Sequence, residues 1–225
     1  MNPNINVPVP RGNMQSTQND LRRRLRFFAV SDGKGDVLRL ERVALAAALG
    51  GVTAICIREP QIPTHEKVAL TRSLVETLRP HGVLIIMNDR LDVAMAAGAD
   101  GAQLGFRSLP LDVARRTVPR DFLLGFSAHE GDNLDRIAEG GADFAFIGPI
   151  FETPSKRGFK DPIGAQKLQA ISASTRLPMV GIGGIDATNA GMLRLPNITG
   201  IAVVRAIFES ADPTASAREI RAQIG

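Results

Sequence analysis

The stretch MVGIGGID, residues 179–186, runs from apolar residues into two adjacent glycines and an acidic residue. Glycine carries no side chain, so its main-chain amides stay open to a ligand that comes close. We therefore predict that Gly183 and Gly184 end a buried strand and hold a phosphate, the alternative being that they only permit a tight turn. The fold follows from how many similar runs surround this one.

Seven further apolar runs precede or follow this stretch, and most are continuous rather than alternating, which is typical of strands buried on both faces. Together with residues 178–183, they cover residues 25–31, 52–57, 82–88, 101–105, 122–127, 143–148 and 198–204. Helical patterns separate them at residues 37–50, 64–80, 90–98, 109–119, 133–141, 163–174, 187–195 and 212–225.

Eight strand–helix pairs in about 200 residues predict a single-domain α/β protein with the (β/α)8 TIM-barrel fold. A doubly wound sheet is disfavoured, because the segment DGKGD after the first run lacks the G-x-G-x-x-G pattern. We assign the barrel to residues 22–225. Residues 1–21 are rich in Asn, Pro and Gln and are predicted to form a mobile tail.

Composition narrows the classes of partner. The chain has no Trp or Tyr to stack on bases and a net charge of only +4, so we expect a small anionic ligand and no nucleic acid. No apolar stretch reaches membrane-spanning length, so no membrane partner is expected. The single cysteine, Cys56, lies in an apolar run and predicts a buried thiol in a cytoplasmic protein.

Catalytic groups of a TIM barrel lie at the carboxyl ends of its strands, and phosphate often binds between the loops after strands seven and eight. This places a phosphate at Gly183 and Gly184 together with Val203 and Val204. A helix N-terminus after strand eight would add partial positive charge.

Other strand ends supply polar candidates. Arg58 suits a phosphate or carboxylate ligand, with an ion pair to Glu59 as the alternative. Asn88 and Asp89 suit a substrate or a metal, unless Asp89 only caps the next helix. His129, at the end of strand five, suits proton transfer near neutral pH.

The polar segment 151–159 follows strand six, and it contains Thr153 and Lys156. Such a segment suits closure over an anionic ligand, with an ordinary surface loop as the alternative.

Several ordered motifs resemble the thiamine phosphate synthase/TenI family. They are GVTAICIREP (51–60), IIMNDRLDVAMAAGADGAQLG (85–105), LLGFSAH (123–129), GADFAFIGPIFETPSK (141–156), PMVGIGGI (178–185) and GIAVVRAI (200–207). The resemblance implies a (β/α)8 barrel that handles thiazole phosphate. The synthase members join hydroxymethylpyrimidine diphosphate to thiazole phosphate with magnesium and release diphosphate, whereas TenI members isomerise a thiazole carboxylate phosphate.

The chain departs from the synthase motifs at several places. Cys56 replaces a Gln that contacts the pyrimidine, and Pro60 replaces a Lys that helps to bind diphosphate. Ser108 replaces a magnesium-binding Asp, which leaves Asp89 as the remaining metal carboxylate, and Arg205 replaces a Ser beside the phosphate site. Arg205 adds a cation, but the loss of the Gln, the Lys and the Asp together removes charge that a diphosphate leaving group needs.

The motifs QLGFRS (103–108) and GPIFETPSKRGF (148–159) look closer to TenI. The resemblance then implies a tautomerase with His129 as acid/base, with Arg58, Asn88, Asp89, Ser127, Thr153 and Lys156 as the substrate-binding residues.

That hypothesis predicts no metal or cofactor. The first alternative is a synthase, which uses magnesium at Asp89 and takes extra charge from Arg107 or Lys34. The second is a non-catalytic thiazole phosphate-binding or regulatory protein. In all three cases we expect a homo-oligomer, as is frequent in the family.

Overall fold

The computed structural model describes residues 14–153 and 161–225. Eight parallel strands form a closed barrel in sequence order, with the last strand paired to the first. The strands are β1 (Phe27–Val30), β2 (Ala54–Ile57), β3 (Leu84–Asn88), β4 (Gly101–Leu104), β5 (Leu123–Ala128), β6 (Phe144–Ile147), β7 (Met179–Ile182) and β8 (Ile198–Val203). The predicted (β/α)8 TIM barrel is therefore confirmed, and each of the eight apolar runs corresponds to one strand, although β5 extends one residue past its run.

Helices alternate with these strands. They are α1 (Met14–Arg24), α2 (Val37–Leu49), α3 (Thr64–Leu78), α4 (Leu91–Ala97), α5 (Leu111–Thr117), α6 (Leu134–Glu139), α7 (Gly164–Ala173), α8 (Arg205–Phe208) and α9 (Pro213–Ile224). Among the residues described, no helix is long and apolar enough to cross a membrane.

The barrel interior is filled with aromatic side chains. Phe28 lies edge-on to Phe146, with ring centroids 5.0 Å apart, and Phe144 lies 5.6 Å from Phe28. All three rings are buried, and Leu25 and Leu21 pack against the same interior cluster. Because Leu21 belongs to α1, this helix lies at the amino-terminal mouth of the barrel.

Two boundaries differ from the sequence prediction. The division between a tail of residues 1–21 and a barrel falls inside α1, and residues 1–13 lie outside the described part of the chain. The helix expected at residues 187–195 is a short 3-10 turn, Ala190–Leu193. Gly191 weakens a helix at this place and Pro196 prevents its continuation, so the connection from β7 to β8 stays short.

Candidate functional site

The carboxyl ends of the eight strands bring most of the predicted polar residues to one rim of the barrel. This rim carries Ser31, Arg58, Asn88, Asp89, Gln103, Ser127 and His129, together with the loop that begins at Gly183.

The loop after β1 is held by a buried carboxylate. Glu59 is 4% exposed, and its two carboxylate oxygens accept hydrogen bonds from the amides of Gly33 at 3.2 Å and Gly35 at 2.8 Å. The Ser31 hydroxyl also accepts a hydrogen bond from the Arg58 amide at 2.8 Å. Glu59 therefore shapes the rim through the backbone of its neighbours.

Because Glu59 is occupied in this way, the alternative of an Arg58–Glu59 ion pair is wrong. The Arg58 guanidinium is exposed and forms no hydrogen bond or ion pair with any residue that the structure describes. Its Nη1 lies over Gly33, 3.5 Å from where a Cβ on that glycine would stand. Arg58 thus offers an unneutralised cation at the rim.

Lys34, the other residue considered as a source of charge, is already neutralised. Its Nζ lies 3.4 Å from both Asp32 and Glu209. Arg39 pairs with the same Asp32 at 2.8 Å. Burial acts to raise the pKa of Asp32, but hydrogen bonds and charge from Arg39 and Lys34 outweigh it and hold this pKa below its usual value.

Asp89 has an unusual backbone. It is the only non-glycine residue with a positive φ in the described ranges, at 66°. Its amide donates a hydrogen bond to the main-chain oxygen of Gln103 at 2.9 Å, while its side chain is exposed. The N-cap of α4 is Arg90, with no side-chain capping bond, so the alternative role for Asp89 as a helix cap is wrong. A strained residue kept at a strand end is a mark of functional sites.

Gln103 is a further polar residue of the rim, and it was not predicted as a site residue. This side chain is 3% exposed, and its Nε2 donates to the Ser127 hydroxyl at 3.0 Å. Its Oε1 is buried without a hydrogen-bond partner among the described residues. A Cβ on Gly125 would stand 2.1 Å from that oxygen, so the glycine makes room for the amide. The presence of a polar residue inside the apolar run GAQLG is a sequence signal that could have identified Gln103.

The His129 ring is half-buried and lies beside an exposed aromatic ring. Its centroid is 5.9 Å from that of Phe106, which in turn packs edge-on against Phe126 at 5.0 Å. The His129 amide donates to Asp132 at 2.6 Å, which fixes the backbone at the end of β5. His129 and Phe106 together form a wall on this side of the rim.

The two glycines after β7 are packed too closely for any other residue. Gly183 and Gly184 have φ values of 102° and 68°. A Cβ on Gly184 would stand 2.4 Å from the main-chain oxygen of Glu152. Asn189 braces the turn by donating from Nδ2 to the Gly184 oxygen at 2.8 Å. Neither glycine amide donates a hydrogen bond to another described residue.

The end of β8 borders this turn, because Ile182 pairs with Ala202 in the sheet. The Val203 side chain is buried in the core, so only its main chain can reach a ligand. Val204 precedes α8, whose first turn begins at Arg205.

The segment after β6 is only partly described. Phe151 donates its amide to the Gly183 oxygen at 3.0 Å, which ties this segment to the turn after β7. Thr153 is half-buried at the last residue described before the gap. Lys156 and the rest of the expected closing segment fall within residues 154–160, which lie outside the described residues.

No group of three or more His, Cys, Asp or Glu residues suited to a metal occurs within residues 14–153 and 161–225. Ser108, where the family motif has Asp, accepts a hydrogen bond from the Gly105 amide at 2.8 Å and so closes its own turn. Cys56 is buried, and desolvation raises its pKa to about 12 despite the nearby Arg58. Its thiol therefore stays protonated near neutral pH.

Comparison with known proteins gives consistent matches. Residues 27–207 match the family described as thiamine monophosphate synthase. The thiamine-phosphate synthase of Moorella thermoacetica is 41% identical over 189 residues, covering 84% of this chain and 89% of that protein. That of Albidiferax ferrireducens is 38% identical over 182 residues, covering 81% and 83%.

A solved structure agrees with these sequence matches. The thiamine phosphate pyrophosphorylase of Pyrococcus furiosus superposes with a TM-score of 0.81 at 31% identity. The match covers 91% of this chain and 97% of that one.

These relatives overturn the tautomerase hypothesis and the isomerase class that went with it. Two proteins named as synthases match most of the chain at 41% and 38% identity, despite the departures at Cys56, Pro60 and Ser108. The tautomerase hypothesis was wrong because it rested on these three substitutions and left out the polar residues that the rim retains. A positive charge lost at one position of the rim can be supplied from another position. Arg58, at the end of β2, is such an unneutralised cation.

Proposed function

Because this chain belongs to the thiamine monophosphate synthase family, we propose that it is a thiamine-phosphate synthase. It would join hydroxymethylpyrimidine diphosphate to thiazole phosphate and release diphosphate. The observation that carries the proposal is the synthase name shared by relatives that align with four fifths of the chain or more.

The phosphate of the thiazole substrate would bind at the turn after β7. The open amides of Gly183 and Gly184 suit an anion, and the main chain at Val203 and Val204 leads into the first turn of α8 beside them. Holding the phosphate there would fix the ring at the centre of the rim. Asn88, Ser127, Thr153 and Lys156 are proposed to contact the substrates, with His129 as part of the surrounding wall.

The reaction breaks the bond between the pyrimidine's methylene carbon and diphosphate while a bond to the thiazole forms. Negative charge therefore grows on the departing diphosphate. Arg58 can hold that charge through its planar fork of N–H groups, and exposed Arg107 lies on the loop after β4. These two arginines would replace the cation lost at Pro60.

A magnesium ion is compatible with the single carboxylate present. Magnesium keeps several waters and commonly binds through one or two carboxylates and the phosphates of a substrate. Asp89 is exposed at the rim and is free to serve as that carboxylate. When bound, the ion would supply further neutralisation of the diphosphate.

Incubation of the purified chain with both substrates and magnesium tests the proposal. We expect thiamine phosphate and diphosphate to form in equal amounts, and neither to form when one substrate is omitted. Saturable binding of thiazole phosphate without any product would overturn the proposal in favour of a binding protein. The expectations of a homo-oligomer and a cytoplasmic location stay predictions.

Replacing Asp89 tests its role as the magnesium carboxylate. Asn tolerates the same positive φ but carries no charge, so the backbone is kept while the ligand is weakened. We expect Asp89→Asn to lower kcat about 100-fold at a fixed magnesium concentration. A magnesium titration should show half-maximal rate at a higher concentration.

Asp121→Asn is the matched control, because Asp121 is exposed at the opposite end of the barrel. It should leave the rate and the magnesium dependence unchanged. An Asp89→Asn enzyme with the wild-type magnesium curve would remove Asp89 from the proposed site.

A further inference from the structure

A cavity lies at the amino-terminal end of the barrel, away from the rim described above. Its volume is about 270 Å³, and it opens beside the start of β8. Most of its wall is apolar and comes from Leu193, Leu195, Pro196, Ile198, Ile201 and Ile224. Of these residues, Ile201 alone falls within a family motif given above, GIAVVRAI (200–207).

Two guanidinium groups line this cavity, and a third lies next to it. Arg26 and Arg194 line it, and a Cβ on Gly225 would stand 3.6 Å from the Nη2 atoms of both. Arg221 reaches the same place, where its Nη1 donates to the Gly225 main-chain oxygen. The three cations come from different elements, so the fold itself brings them together.

This positive charge lacks an acidic counterpart among residues 14–153 and 161–225. No Asp or Glu side chain there lies within 4.0 Å of any of the three guanidinium groups. Arg26 donates to the main-chain oxygen of Ile224, and Arg194 forms no hydrogen bond with a described residue. Even a carboxylate at Gly225 would supply one negative charge against three positive ones.

The electrostatic cost of this arrangement is visible at Arg26. Burial lowers the pKa of Arg26, and repulsion from Arg221 and Arg194 lowers it further. A bound anion would relieve that repulsion.

We propose that this cavity is a binding site for a small phosphate monoester with an apolar body. Guanidinium groups form paired hydrogen bonds with phosphate oxygens, and two of them with a third nearby suit a dianion better than a single carboxylate. The apolar wall would enclose the rest of the molecule. A volume near the lower end of the usual range for ligand pockets limits the ligand to a small one.

Phenyl phosphate is the probe, and amide chemical shifts of the full-length chain locate where it binds. We expect saturable shifts at Leu195, Ile198 and Ile201, with inorganic phosphate binding more weakly because it leaves the apolar wall unfilled. The Arg194→Ala variant should bind the probe at this place about tenfold more weakly, through the loss of charge-assisted hydrogen bonds.

Arg218→Ala is the control, because Arg218 is exposed on the same helix as Arg221 but does not line the cavity. It should leave binding unchanged. No shift around residues 194–201, or an Arg194→Ala variant that binds as tightly as the wild type, would overturn the site. Inorganic phosphate binding as tightly as phenyl phosphate would overturn the part of the proposal that concerns the apolar body.

The proposal is independent of the synthase activity, and the same experiment separates the two. Phenyl phosphate bound at the catalytic rim would shift the amides of Gly183 and Gly184 instead. A Gly184→Ala variant should lose those shifts and keep the ones near Arg194.

Discussion

A Gly184→Ala variant is expected to lose about 100-fold in kcat/KM for thiazole phosphate, because a displacement of roughly 1 Å at a positioning group costs that much. The added Cβ would stand 2.4 Å from the Glu152 oxygen and 2.7 Å from the Phe151 oxygen. Two main-chain atoms cannot yield as a flexible side chain would. The turn must therefore move, and its amides move with it. Steady-state rates of thiamine phosphate formation measure the loss.

Gly82→Ala separates this effect from simple backbone strain. Gly82 has nearly the same φ, 71°, but nothing lies within 4 Å of an added Cβ. Both variants should lose about 1–2 kcal/mol of stability from the left-handed conformation. Only Gly184→Ala should lose activity. Equal activities in the two variants would contradict a phosphate site at the turn after β7.

Removing the buried carboxylate of Glu59 is expected to cost about 3 kcal/mol of folding free energy, because two main-chain N–H groups lose a charged acceptor. For a chain of this size that corresponds to a fall in Tm of about 10 °C in the Glu59→Ala variant. Activity should fall as well, since the loop of Gly33 and Gly35 lies next to Arg58. Thermal unfolding followed by circular dichroism measures the first effect.

Glu59→Gln refines this test. A glutamine side chain has one acceptor oxygen in place of two, so it can satisfy the Gly35 amide and leave the Gly33 amide without a partner. Its Tm should lie between those of the wild type and Glu59→Ala. Glu76→Ala, at an exposed position on α3, should change stability by about 0.5 kcal/mol or less. A Glu59→Ala protein as stable as the Glu76→Ala control would show that the loop holds its shape without the carboxylate.

The barrel could be predicted from the sequence because strands that are buried on both faces have continuous apolar sequences. Local patterns were less reliable where tertiary contacts decide the outcome. The segment 187–195 has helical spacing, yet only Ala190–Leu193 forms a turn. Likewise, Glu59 follows Arg58 in the chain, and only the fold reveals that its partners are the amides of the loop after β1.

The position of candidate site residues was easier to predict than their roles. Strand ends identified Arg58, Asn88, Ser127 and His129 as rim residues, because parallel strands end on one side of a barrel. The strained backbone of Asp89 and the buried amide of Gln103 depend on packing across strands, which no single segment encodes. The predicted tautomerase reaction was wrong because the substitutions at Cys56, Pro60 and Ser108 do not reveal which neighbouring charged side chains stay unpaired in the fold.

The phenyl rings of Phe28, Phe144 and Phe146 fill the lumen between the two mouths of the barrel. Because these buried rings occupy the interior, they leave no passage through the barrel from the rim to the end that bears the arginine cavity. Strand β8 runs past these rings, from Ile198 beside the arginine cavity to Val203 near the turn of Gly183 and Gly184. A substrate at the rim and a ligand at the arginine cavity would therefore exchange with the solvent independently of each other.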